Sequence, residues 1–194
     1  ERNNKRRDSC SHILYAIAVS DIDDALNTHK ELVDSIIETE TIGSEFTGIL
    51  LCQNGALLHY IEAPAAICAK FLTDLGKCCE GESAILLSSE DCDRRYFLTW
   101  SHQMVQVPDE DLGSLSSENP TDLAFDVFSN VMLIATGSNA ERNTPSRKKL
   151  EFFTQSDAFF SIQSYLGAFN DSFSLVLDSE RVWPLQPDVQ FEEV

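Results

Sequence analysis

The chain has 194 residues, 43% of them hydrophobic, enough to bury a substantial core in about one domain with extensions. Acidic residues outnumber basic ones 32 to 14, a formal charge of −18, which argues against a protein that grips nucleic-acid phosphates by counterion release. No apolar run approaches the roughly 20 residues that span a bilayer, and the polar N-terminus lacks a signal-peptide stretch, so neither membrane insertion nor secretion is expected.

Residues 1–11 form an N-terminal arm made basic by Lys5, Arg6 and Arg7, and a compact domain is expected over 12–107. Its first strand is the apolar run 12–19, too short for a free-standing helix. Ser20 to Asp24 supply cap and first-turn acids for an amphipathic helix over 23–38, with Leu26, Lys30, Val33 and Ile37, and Leu32 and Ile36 beside them, at helical spacing and His29 on the polar side. Phe46–Cys52 and Ala56–Glu62 read as a hairpin joined through Asn54-Gly55, because both turn residues tolerate positive φ. Pro64 starts a second helix whose stripe is Ile67, Phe71 and Leu75, with Gly76 as its stop. Ser83–Ser89 and Tyr96–Met104 read as strands separated by the charged turn 90–94. The order β-α-β-β-α-β-β with helices on one face predicts an α+β, ferredoxin-like sheet with one strand appended.

An acidic linker follows over 108–120, within a stretch from Val105 to Ala140 that has no Lys or Arg. Helices are expected over 121–136, stopped by Gly137, and from Arg147 to about Phe169, within a C-terminal region of 121–170, with a tail over 171–194. Phe152, Phe153, Phe159, Phe160, Tyr165 and Phe169 are too many aromatics for a solvated helix, so these helices should cover the open sheet face or meet a partner. Arg147, Lys148 and Lys149 lie at the positive end of the second helix dipole, an arrangement that an acidic surface would favour.

The cysteines Cys10, Cys52, Cys68, Cys78, Cys79 and Cys92 contain no Cys-x-x-Cys and read as free thiols in a reducing cytosol. His12, His29, His59 and His102 have no metal-ligand spacing, so no metal residues are expected. There is neither a Gly-x-Ser-x-Gly nor a Gly-x-x-x-x-Gly-Lys motif, and the acids of Ser20-Asp21-Ile22-Asp23-Asp24 would repel an acyl phosphate. Cys52 and His59 are a conceivable nucleophile and base on neighbouring strands, but nothing supplies an oxyanion hole. No catalytic residue is therefore assigned. Tyr15, His59 and Trp100 are read first as packed or locally satisfied sheet residues.

Ile13-Leu14-Tyr15-Ala16, Phe46-Thr47-Gly48-Ile49-Leu50-Leu51, Asn54-Gly55, Leu57 to Ala63, and Arg95-Tyr96-Phe97 leading to Trp100 and Met104 together resemble the BLUF domain, a flavin-based blue-light sensor. In that family a strand-one tyrosine, a third-strand glutamine and an asparagine near the end of the first helix form the circuit to the flavin. Tyr15 takes the tyrosine position, whereas His59 stands for the glutamine and Glu40 or Thr41 for the asparagine. Cys79-Glu80-Gly81-Glu82 replaces an Arg-His expected before strand four. A carboxylate beside the flavin carbonyls would repel them where a neutral donor is needed. The resemblance thus implies a BLUF-like fold without light sensing, cofactor-binding residues or bound cofactor.

The pattern is also similar to a BLUF-like protein of sperm and motile cilia, which implies a non-enzymatic structural component of a ciliary or flagellar axoneme. Its partners would then be other proteins of a larger assembly, with no nucleic acid and no membrane. The alternative is a residual flavin-binding light or redox sensor in which His59 has taken over the glutamine's role. A small-ligand hydrolase would instead need a pocket with polar groups converging around Tyr15 and His59.

Overall fold

The computed structural model describes residues 10–39, 46–79, 81–108 and 119–170. Strand β1 (Cys10–Ala18) begins earlier than expected, and helix α1 (Ile22–Thr39) starts where the Asp21 carboxylate accepts the Asp23 and Asp24 N–H groups, each at 3.0 Å. Strands β2 (Thr47–Gln53) and β3 (Ala56–Ala63) form the expected hairpin. Only Gly55 of its turn takes a positive φ, at 91°, and Asn54 does not. Helix α2 (Ala65–Cys78) runs past Gly76, which faces Ile162 inside the packed structure.

Strand β4 (Ser83–Cys92) absorbs part of the expected charged turn, and β5 is only Trp100–Met104. The strand order is β4-β1-β3-β2-β5, antiparallel throughout except that β5 runs parallel to β2. This is the ferredoxin-like plan with its appended strand at the edge. Gly48, at φ 143°, lets β2 pass so close to β3 that any Cβ there would collide with the Tyr60 carbonyl.

Strand β1 is apolar almost throughout because the sheet is covered on both faces, not because it is deeply central alone. Ile13, Tyr15 and Ile17 face Val33 and Ile36 of α1 and Ile67, Phe71, Leu72 and Leu75 of α2. Leu14 and Ala16 face the opposite way, toward Leu123, Ala124, Val127 and Val131 of α3 (Pro120–Ala135) and Leu150 and Phe153 of a later helix. The open face is thus closed by the chain's own C-terminal helices. Helix α3 starts one residue before the expected 121, capped by Asn119 with Pro120 at its first position. It stops at Gly137, whose φ of 96° lets the Gly137 and Ser138 N–H groups return to the last-turn carbonyls.

The single long helix expected from Arg147 to Phe169 is instead two, α5 (Arg147–Thr154) and α6 (Ile162–Asn170), after a one-turn α4 (Ala140–Asn143). Serines decide the break. Ser156 Oγ accepts the Ala158 N–H at 3.3 Å, and Ser161 Oγ accepts the Ser164 N–H at 3.1 Å. The extended Phe160 carbonyl then accepts the Ile85 N–H at 2.8 Å along the edge strand β4, and α6 crosses to the α2 side with Ile162 buried. The aromatics divide accordingly: Phe153 is buried, whereas Phe160 is 61% exposed. Residues 1–9 of the N-terminal arm, most of the acidic linker, Glu40, Thr41, Glu80 and the tail lie outside the described residues.

Candidate functional site

The period-two pleat points Tyr15 of β1 and His59 of β3 toward the helices, and the two are direct neighbours in the antiparallel register. His29 joins them from α1. It does not lie on a polar side as expected, because Ala25, Leu26, His29, Val33 and Ile36 form one buried stripe at helical spacing. Tyr15, His29 and His59 are each 0% exposed.

These residues form one directional chain with Trp100. The Trp100 indole N–H can only donate, and it meets His59 Nε2 at 2.8 Å, so that nitrogen must be bare. Neutral His59 therefore carries its proton on Nδ1 and donates to the Tyr15 hydroxyl at 2.6 Å. Tyr15 in turn donates to His29 Nε2 at 3.1 Å, and His29 Nδ1–H donates to the Ala25 carbonyl at 2.7 Å. A donor-only group at one end and an acceptor-only group at the other set both tautomers. Protonating either ring would drive an N–H against the Trp100 N–H or against the Tyr15 hydroxyl hydrogen. Burial, and for His59 the neighbouring His29, holds the His59 pKa well below the ordinary range. Burial, opposed by the Ala25 carbonyl, brings His29 down to about 4. Burial likewise pushes the Tyr15 phenol well up, with nearby Cys79 adding to it, so the chain is neutral at physiological pH.

Phe71 closes the cluster from α2, with its ring centroid 5.6 Å from His59, 6.3 Å from His29 and 5.3 Å from Phe46. Both His59 nitrogens and the Tyr15 proton are committed within the protein, so neither of these residues has a donor left for a flavin carbonyl. The residues present do not fit a flavin at this position. A groove of about 260 Å³ is lined by Ile13, Cys68, Tyr165 and Leu166, and a basin of about 650 Å³ by Ser20, Asp21, Asp24, Arg147 and Glu151 together with Ala25, the last acceptor of the chain; neither is lined by Tyr15, His29, His59 or Trp100.

On the opposite sheet face, Glu62 is fully buried and accepts from Thr47 Oγ1–H at 2.8 Å and from the Tyr96 and Phe97 N–H groups at 2.7 and 3.1 Å. Arg95 donates to the Glu62 backbone carbonyl at 2.9 Å, and His12 Nε2–H to the Arg94 carbonyl at 2.9 Å. Burial lowers the His12 pKa more than the Glu62 carboxylate, 3.9 Å away, raises it. This carboxylate explains why residues 96–99 do not continue β5 as expected: the Tyr96 and Phe97 N–H groups turn to Glu62, and Leu98 beside them is 97% exposed. Reordering this stretch starts β5 at Trp100, the residue that completes the chain of rings. The Tyr60 hydroxyl is buried beside Glu62; burial and then the carboxylate push its pKa well up.

Among the sequence candidates, the structure therefore unites Tyr15, His59 and Trp100. Cys52 is buried at a separate cluster with Leu50 and Leu57 and does not meet His59. His29 and Glu62 were missed as site residues; the helical stripe held the signal for the first, and no local pattern marked the second.

Among solved structures, the blue-light protein BlrB in its dark state is 19% identical, with a TM-score of 0.39 over 50% of this chain and 73% of that one. A bacterial light-regulated adenylyl cyclase is 14% identical, with a TM-score of 0.41 over 75% of this chain and 39% of that one. Superpositions this loose carry no argument about function. A family model, described as testis-expressed protein 47, matches residues 17–171, a span that includes His29, His59, Glu62 and Trp100. Because that match covers most of the sequence, the chain belongs to the testis-expressed protein 47 family.

Proposed function

We propose that this chain is a non-enzymatic structural and interaction module, built on a BLUF-like sheet that has given up flavin photochemistry, and that it serves in the sperm flagellum as a component of the axoneme. The observation that carries the reading is the closed Trp100–His59–Tyr15–His29 chain, which spends on itself the hydrogen bonds a flavin sensor would offer its ring. Its Tyr15, His59 and His29 are buried and neutral, so they present neither a nucleophile nor a base to a substrate. A testis-expressed family supports the sperm setting.

Partner contact is proposed to run through the cationic start of α5. Arg147 lies 3.5 Å from Glu151 one turn on, and Lys148 and Lys149 add positive charge where the helix dipole disfavours it. An acidic partner surface offsets that cost and would also attract Lys5, Arg6 and Arg7. Demembranated sperm extracted with detergent should retain the protein on the axonemal pellet, and moderate salt should weaken that retention. Complete release with the detergent-soluble matrix would overturn the axonemal reading.

A further inference from the structure

We propose that Cys10 and Cys92 form a reversible disulfide across the β1–β4 pair, a thiol-oxidation site that staples the first strand of the sheet to its edge. The two are cross-strand partners at the end of this antiparallel ladder, beyond an irregularity between Cys10 and His12. Directly opposed residues have Cα atoms about 4.5–5.5 Å apart and side chains on one face, within the ~4.4–6.8 Å that a disulfide spans. The backbone is shaped to produce this pairing. Asp91, beside Cys92, has the one positive φ among the described non-glycine residues, 55°, and that left-handed residue bends the end of β4.

Access and competition favour the same pair. Cys92 is partly exposed, whereas Cys10 is 3% exposed. The Cys92 thiol donates weakly to Ser89 Oγ at 3.3 Å, a contact it would give up on forming the bridge to Cys10. Cys68, at the same end of β1, donates to the Ala63 carbonyl at 3.5 Å, and burial pushes its thiol up to about 12, which leaves it little thiolate. With glutathione disulfide as oxidant, the Cys92 thiolate attacks one glutathione sulfur and expels a glutathione thiolate. The Cys10 thiolate then attacks Cys92 Sγ and expels the second. Two protein thiols lose two protons and two electrons, and one glutathione disulfide becomes two glutathione thiols.

The bridge closes the loop between residues 10 and 92 and restrains the end of β4, from which Arg94 accepts the His12 N–H. To test this, the purified full chain is oxidised with glutathione disulfide, remaining thiols are alkylated, and the protein is cleaved after acidic residues. Cleavage at Glu80, Glu82 and Glu90 separates Cys92 from Cys78 and Cys79. The expected result is a Cys10–Cys92 linked peptide and a thermal midpoint raised by roughly 5 to 15 °C, both reversed by dithiothreitol. C92S should keep the midpoint of the reduced wild type and show neither change, and C10A reads the same pair from its other member. Alkylation of both cysteines after oxidation, a link from Cys10 to another cysteine, or an equal rise in C92S would overturn the proposal.

Discussion

Phe71→Ala is expected to destabilise the fold by about 3 to 5 kcal/mol, the sum of lost apolar transfer and the cavity left behind. Phe71 is fully buried and touches the rings of Phe46, His29 and His59, so several elements meet on one side chain. Relaxation into the gap is opposed because α2 is held from outside by α6, where Ile162 is buried in the same cluster. Urea unfolding at neutral pH, followed by far-UV circular dichroism, measures the loss. A change below about 1 kcal/mol would mean that α2 does not hold the rings in place.

Acid should destabilise the protein through its buried histidines. An unfolded histidine titrates near the ordinary 6.5, whereas folded His29 titrates at about 4 and folded His59 well below 6.5. Between those values the unfolded chain binds more protons, so stability is fully present above 6.5 and falls as the pH is lowered toward 4. The slope approaches about 1.4 kcal/mol per pH unit for each group that only the unfolded chain protonates, or about 2 kcal/mol for His29 between pH 6.5 and 5. His12 and His102, also lowered chiefly by burial, add to the gross slope, and carboxylates add their own changes at lower pH. The difference between wild type and His59→Gln isolates one group. The variant should lose less stability than wild type over that window, and parallel stability curves would show that His59 does not remain neutral in the fold.

Element order and the helix-facing side of the sheet were legible because they rest on period: β1 and the hairpin alternate or run apolar at strand length, and α2 repeats every three to four residues. Leu50, Leu58 and Phe71 are core residues as their patterns require. His29 was misread because residue type was weighed above position; a histidine in a buried stripe behaves as a core residue once both nitrogens are satisfied. The break between α5 and α6 was hidden by aromatic spacing, although Ser156 and Ser161 are residues that compete with helical hydrogen bonds. Glu62 was the least legible. Its role depends on Thr47, Tyr96 and Phe97, which only the tertiary fold brings to it. Tyr15 and His59 were recognised as neighbours in chemistry, but the closing donor, Trp100, and the closing acceptor, Ala25, lie on different elements.

The central claim is that the ring chain is complete within the protein. Nitrogen-15 chemical shifts of the histidine rings, recorded from pH 7.5 to 5 with and without excess flavin adenine dinucleotide, test it most directly. His29 and His59 should both show a protonated Nδ1 and a bare Nε2, remain neutral to pH 5, and be unmoved by the flavin. A protonated Nε2 on either ring, titration near 6.5, or a flavin-dependent shift of His59 would contradict the closed chain.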